Sequence, residues 1–473
     1  MPAHPLYIDG TWRSTGFVRE VRNPYDGHVA GEVCQAGASD TGDAIAAATR
    51  AFAQTKKLPS YQRAEILSFI SRRISERKEE FARMITEETG KPISLSRSEV
   101  DRSIFTFSLA AEEARRIEGT VLPLDLNAGS IGRFGMVRRF PLGPVGAITP
   151  FNFPLNLVSH KVAPSIAVGN PLVLKPSSSS PLTALLLAKI VDESSLPKGA
   201  FNVICCSGSE ASQLYTDERI KLITFTGSPS IGWPIKAQAG KKRVVLELGG
   251  NAGVIVEADA DLDLALSKIL AGGFANAGQS CISVQRIYIH TNIWKEFLPR
   301  LVDGAKEITV GDPWKEATVV GPMITEQAAE QVEEWIAEAI AGGARILCGG
   351  KRDGAMFEPT ILSDATPDMN VSCREVFAPV VTVEEYKTFG DALNRVNDSA
   401  FGLQAGVFTR NFQNVFKAYE ELEVGGVVVN DVPTYRIDHM PYGGVKDSGF
   451  GREGVRYAME EMSELKLLAV NPL

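Results

Sequence analysis

The chain has 473 residues, 44% hydrophobic and 22% charged, an ordinary globular composition with length for a large core and more than one domain. A formal net charge of -8 and a pI of about 5.4 argue against a polyanionic partner such as nucleic acid. No apolar stretch reaches the roughly 18 residues that cross a bilayer, so no membrane partner is expected. The start, MPAHPLYIDGTWRSTG, has no basic region followed by an apolar run, so no secretory signal is expected. Six cysteines without a C-x-x-C pair make no disulfide scaffold, and five scattered histidines offer no ligand spacing. Reduced thiols in the cytoplasm and no metal site are the expectation.

From Asp40 to Gly119 three stretches carry apolar residues at three-to-four spacing: DTGDAIAAATRAFAQ, SYQRAEILSFISRRISERKEEFARMITEETG and LSRSEVDRSIFTFSLAAEEARRIEG. This predicts amphipathic helices, with Asp40 and Ser60 as N-caps of the first two. TVLPLDLNAGSIGRFGMVRRF (Thr120 to Phe140) reads as two strands with a Gly/Asn turn, an excursion of the kind an oligomerisation arm makes. From Pro144 the β-branched runs VGAIT, PLVLK, FNVICC, LITF and RVVLEL alternate with LNLVSHKVAPSIAVG, PLTALLLAKIVDES, SEASQLYTD and SPSIGWPIKAQAG. That alternation predicts a parallel sheet with helices on its faces. A second βα series opens near Asn251 with NAGVIVE, DLDLALSKILAGGFANAG and ISVQRIYIH, and continues to APVVTVEEY, AGVFTR and GGVVVN. The expected fold class is α/β, with two doubly wound lobes meeting near residues 248–251.

Gly449, Gly451 and Gly454 spell G-x-G-x-x-G, but the loop residues YGGVKDS precede them and the chain ends too soon for the acidic partner of a dinucleotide fingerprint. This motif reads as a turn feeding a terminal helix. FTGSPSIG is better placed: Gly227 and Gly232 follow LITF and open the helix behind Ser228, whose N–H groups suit a phosphate, the alternative being an ordinary strand–helix turn. Lys175 ends a strand, where open α/β sheets place ligands; it reaches a ribose or phosphate, or is simply solvated. Glu247 ends the apolar run RVVLEL before Gly249 and Gly250. Desolvation there raises its pKa and suits it to general-base work, unless it points to solvent. Asn152, between Pro150 and Pro154, is a rigid amide able to donate to an oxyanion, or a turn asparagine. Cys281 follows the small-residue run AGGFANAGQS, and residue type alone makes it a buried, inert thiol. Glu375, in SCREVFAPVV, is by itself an unremarkable carboxylate.

Taken together and in order, PFNFP, LKPS, FTGS, ELGG, GQSC, EVFAPV and PYGGVKDSGFGREG resemble the NAD(P)-dependent aldehyde dehydrogenase superfamily over essentially the whole chain. The resemblance implies that Cys281 attacks the aldehyde to give a thiohemiacetal, and that Asn152 with the Cys281 backbone N–H forms the oxyanion hole. Glu247 would then activate water to hydrolyse the thioester. It implies that Ile148, Thr149, Pro150 and Phe151 line the cofactor, that Lys175 binds the adenosine ribose and Ser228 the pyrophosphate, and that Glu375 binds the nicotinamide ribose with Phe377 beside it. Gly227, Ile231 and Leu248 are placed beside the cofactor too. Ser178 stands where NAD-strict members carry a glutamate, so NADP as well as NAD is expected to be accepted.

The implied domains are 1–119 with 141–248 for the cofactor, 249–452 for catalysis, and 120–140 with 453–473 for assembly into a homodimer or homotetramer. Ser280 and Ile282 flank the nucleophile where a phosphorylated aldehyde would call for arginine. Tyr435, Arg436 and His439 are expected near the substrate mouth, and His160 either reaches the substrate or is a satisfied helix histidine. The tail resembles the branch that handles small hydroxylated or anionic aldehydes, lactaldehyde-like or semialdehyde. Two alternatives stay open: a CoA-acylating relative, a class that commonly lacks the base, and a non-catalytic structural protein reusing the fold.

Overall fold

The computed structural model describes residues 2–471. Met1, Pro472 and Leu473, which fall within the expected segments 1–119 and 453–473, lie outside the described residues.

A parallel sheet needs both faces covered by helices, so its strands are apolar on both sides, and the first sheet follows that rule. Its five central strands are all parallel, in the spatial order Phe201–Val203, Leu172–Lys175, Val145–Ile148, Leu222–Thr226 and Arg243–Glu247. Two antiparallel N-terminal strands, Leu6–Ile8 and Thr11–Arg13, flank one side, and Gly449–Phe450 pairs antiparallel on the other. In chain order the parallel strands run third, second, first, fourth, fifth. The winding reverses between Val145–Ile148 and Leu222–Thr226, and loops leaving the carboxyl ends diverge there to open a crevice. Helix Asn156–Val168, reached by the loop after Val145–Ile148, is buried on every face. Any polar side chain on it therefore needs an internal partner.

The second sheet has six parallel strands in the order Thr360–Ser363, Val380–Tyr386, Val284–His290, Ala252–Val256, Gln404–Phe408 and Gly426–Val429, with Arg345–Cys348 antiparallel at one edge. Each sheet has its own apolar core, the first built from residues up to Leu248 plus Val455, Met459 and Met462. Strands Thr120–Pro123, Phe134–Pro141 and Ser463–Val470 form a separate antiparallel sheet that exposes Val121, Leu465, Leu467 and Leu468.

Several local expectations change. The long second helical stretch is two helices, Ser60–Glu76 and Lys78–Thr89, broken at Arg77 with φ -111° and ψ 24°. Ile74, Phe81 and Ile85 keep helical spacing across the break, so periodicity does not reveal it. Asp40 is not an N-cap: it lies inside helix Ala38–Thr55 and its carboxylate accepts from the Gly37 N–H at 3.0 Å. Ser60 is the first helical residue, behind Pro59. SEASQLYTD folds only into a 3-10 turn, Glu210–Ser212, and a single α turn, Gln213–Thr216. GFGREG does feed a terminal helix, Val455–Glu461. That helix packs into the first core, so the three-stranded sheet takes its last strand from Ser463 and not from residue 453.

Candidate active site

A cleft of about 490 Å³ opens at the reversal and takes residues from both lobes. Backbone contacts too close for any side chain seat the Cys281 loop in it. A Cβ on Gly250 would stand 1.9 Å from the Cys281 carbonyl oxygen, and one on Gly278 would stand 2.0 Å from that of Ala378. Gly250 thus lets the nucleophile loop lie against the end of the strand that carries the carboxylate. Asn276 and Ala277, both at φ 54°, precede Gly278 in a left-handed run. Strain of this kind persists where the surroundings enforce it.

Cys281 Sγ lies 3.1 Å from the Tyr442 hydroxyl. Burial pushes its thiol up to about 12, the Tyr442 hydrogen bond and Arg436 opposing and the carboxylates of Glu375 and Glu247 adding. The Cys281 N–H donates to no group among the described residues. Asn152 is buried, and its Nδ2 donates to the Gln279 carbonyl at 3.0 Å. An amide nitrogen carries two hydrogens; this bond uses one, and Asn152 lines the cleft.

Glu247 is 2% exposed, and neither carboxylate oxygen has a hydrogen-bond partner among the described residues. Burial and the neighbouring Glu453 charge raise its pKa well above the ordinary carboxylate range, against Arg436, Lys161 and Arg452. Glu375 Oε1 accepts from the Gly250 N–H at 2.9 Å, and burial pushes its carboxyl up to about 7.

Behind the cleft lies a buried charge cluster. Arg436 donates to Glu453 at 3.1 Å, and Glu453 also accepts from Lys161 at 3.0 Å. The Arg436 guanidinium stacks 3.6 Å from the Tyr442 ring centroid, and its Nε is buried without a partner. His160 Nε2 meets Asp438 Oδ1 at 2.8 Å, and Arg102 donates to the same oxygen at 2.7 Å. Because the carboxylate only accepts, His160 Nε2 carries the proton. Burial and the Arg436 charge lower this histidine's pKa, against Asp438 and Glu453.

Of the residues expected from sequence, Pro150, Phe151, Asn152, Gly227 and Ser228 line the cleft from the first lobe, as do Glu247 and Leu248. Ser280, Cys281, Ile282, Glu375, Phe377 and Arg436 line it from the second. Phe151 and Phe377 meet edge to face at 5.9 Å across it. Ile148 and Thr149 are buried at their strand end, while Lys175 ends the neighbouring strand and Ser178 follows it, both outside the cleft lining. Ile231 is 55% exposed on helix Pro229–Gln238. Tyr435 is 49% exposed, and His160 bonds Asp438 outside the cleft lining. His439 is likewise exposed. Tyr442, Arg102, Asp438, Lys161 and Glu453 were not anticipated. The one available signal was Lys161, a charge inside the otherwise core-like run LNLVSHKVAPSIAV.

The residues present fit a dinucleotide. Lys175, at the carboxyl end of a central strand, is largely desolvated, which lowers its pKa, and it has no hydrogen-bond or ion-pair partner among the described residues. Ser228 is the N-cap of helix Pro229–Gln238; its hydroxyl meets that of Ser230 at 3.0 Å and accepts from no helix N–H, leaving the helix N–H groups open to a phosphate. Among the described residues, no three His, Cys, Asp or Glu side chains gather as a metal site.

The model of the aldehyde dehydrogenase family matches residues 12–468. The 3-sulfolactaldehyde dehydrogenase of Priestia aryabhattai is 46% identical over 467 residues, covering 98% of each chain. Aldehyde dehydrogenase 21 of Physcomitrella patens, solved with its reaction product succinate, is 45% identical, covers 99% of this chain and 98% of its own, and superposes with a TM-score of 0.98. The glyceraldehyde-3-phosphate dehydrogenase of Methanocaldococcus jannaschii, solved with NADP, is 41% identical over 96% of this chain and 100% of its own, with a TM-score of 0.93.

Proposed function

The chain belongs to the aldehyde dehydrogenase family, and from that premise we propose that it oxidises a small anionic aldehyde to the acid through Cys281, Asn152 and Glu247. When bound, NAD(P) supplies the acceptor for the substrate's hydride. The chain's own residues do the rest. The Cys281 thiolate forms a bond to the carbonyl carbon, and the π pair moves to oxygen. The second N–H of Asn152 and the Cys281 backbone N–H receive that negative charge. Once hydride has left, a thioester remains on Cys281. Glu247 takes a proton from water, the hydroxide attacks the thioester, and the C–S bond breaks to return the thiolate. A partnerless buried carboxylate in the nucleophile's cleft supports hydrolysis over transfer to CoA.

The observation that carries the substrate class is Arg436 Nε, a buried cationic donor in the cleft with no partner. Arg102 adds a second guanidinium to the lining. Burying a charged donor without an acceptor is costly, and a carboxylate or sulfonate on the substrate relieves the cost. The names of the Priestia relative and of the succinate-bound moss enzyme support the same class. Anionic and neutral aldehydes of matched length, followed by NAD(P)H absorbance with each cofactor, test it. Equal kcat/KM for the two would count against the anionic reading.

Ser178 supports acceptance of NADP, because a small neutral residue there leaves room for a 2′-phosphate that a glutamate would repel. The domain division at residues 248–249 and assembly as a homodimer or homotetramer through the three-stranded sheet belong to the same proposal, supported by that sheet's exposed Val121, Leu465, Leu467 and Leu468. Six unpaired cysteines suit a cytoplasmic setting.

A further inference from the structure

Tyr442 stands closer to the chemistry than its place in a glycine-rich loop suggests. The residue is 2% exposed and packs with Ile282 and Leu403 around the nucleophile. Its hydroxyl meets Cys281 Sγ at 3.1 Å, and that is its one hydrogen-bond partner among the described residues. Arg436, anchored by Glu453 at 3.1 Å, lies 3.6 Å from the ring centroid, which holds the ring in place. A thiol and a phenol can each donate, but once the sulfur has lost its proton only the phenol can. We propose that Tyr442 is a catalytic hydrogen-bond donor that holds Cys281 as the attacking thiolate and receives it again as the leaving group.

The proposal rests on the reading that Cys281 is the nucleophile. In the attack the sulfur lone pair forms the C–S bond and the carbonyl π pair moves to oxygen. Tyr442 keeps its proton throughout. It is suited to do so, because burial and the adjacent sulfur push its own ionisation well above the ordinary value, against Arg436. The other charged groups facing the sulfur are Glu375 and Glu247, which oppose the thiolate, and Arg436, which favours it. The phenol is the only one of these held in direct hydrogen-bond contact with the sulfur.

Tyr442→Phe keeps the ring and the guanidinium stack and removes only the hydroxyl. The readout is the rate of Cys281 alkylation by iodoacetamide across pH in the full chain, followed by mass of the Cys281 peptide. Losing a hydrogen bond to a charged group raises the midpoint by about one to two pH units, so alkylation at neutral pH slows roughly ten- to hundred-fold. Superimposed profiles overturn the proposal, and so does a midpoint that moves down, which would make Tyr442 an acceptor from the thiol. If the phenylalanine protein fails to fold, replacing Tyr442 with a fluorinated tyrosine, a stronger donor, is expected to lower the midpoint; no shift overturns the proposal. Cys281→Ala separates the two readings. Aldehyde oxidation surviving in that protein sinks the nucleophile assignment, whereas the alkylation profile addresses Tyr442 alone.

Discussion

Replacing Glu247 with glutamine isolates the hydrolytic step. Both carboxylate oxygens are buried and accept no hydrogen bond among the described residues, so an amide of the same shape breaks no internal bond. It also removes a buried carboxylate beside Glu453. The sign of the stability effect follows. Glu247 has a folded pKa above its unfolded one, so the folded state binds the extra proton, and stability falls as pH rises from the unfolded value toward the folded value. Glutamine does not titrate, so its melting temperature should equal or exceed the parent's, with the gap widening as pH rises through that window. Turnover moves the other way. A positioned general base contributes about 10²- to 10⁴-fold, or roughly 3–5 kcal/mol of barrier, and kcat should fall by that factor. Stopped-flow absorbance should still show a burst of NAD(P)H with each active site, because acylation does not need Glu247, followed by a slow steady state with thioester on Cys281 detectable by mass. In the parent, kcat should rise with pH as Glu247 loses its proton; the glutamine protein should lose that limb. A glutamine protein that melts normally and turns over as fast as the parent, or shows no burst, would refute the base assignment.

Arg436→Met should lower kcat/KM for anionic aldehydes by roughly ten- to hundred-fold, the range for a lost charge-assisted hydrogen bond, and neutral aldehydes much less; equal losses on both would point to a structural role through Glu453. Ser178→Glu should shift the ratio of kcat/KM toward NAD by repelling the 2′-phosphate, which initial rates with both cofactors will read. Gly250→Ala forces a methyl against the Cys281 carbonyl, where a Cβ would sit at 1.9 Å. Overpacking of that kind costs about 1–3 kcal/mol, so the melting temperature should fall, and turnover should fall further because the nucleophile loop must move. Leu467→Lys on the exposed face of the three-stranded sheet should shift the mass seen by ultracentrifugation toward the monomer; an unchanged assembly would place the interface elsewhere.

The sequence alone determined what depends on near neighbours. Alternating β-branched and helical runs are local signals, and they place the strand ends that carry Lys175, Thr226 and Glu247. The motifs ELGG and GQSC carried the glycines whose missing side chains let two loops touch. The break at Arg77 stayed hidden because apolar spacing continues through it. Only the tertiary structure decided what depends on partners far along the chain. Tyr442 and Cys281 are 161 residues apart, and Lys161 and Glu453 are 292 apart. A lysine in an all-buried helix announces that it needs a counter-charge, but not which one. Tyr435 and Arg436 are adjacent and were equal candidates for the substrate. The fold points one to solvent and the other into the cleft, because which way a loop side chain faces is set by what packs around it, here the Tyr442 ring and the Glu453 carboxylate.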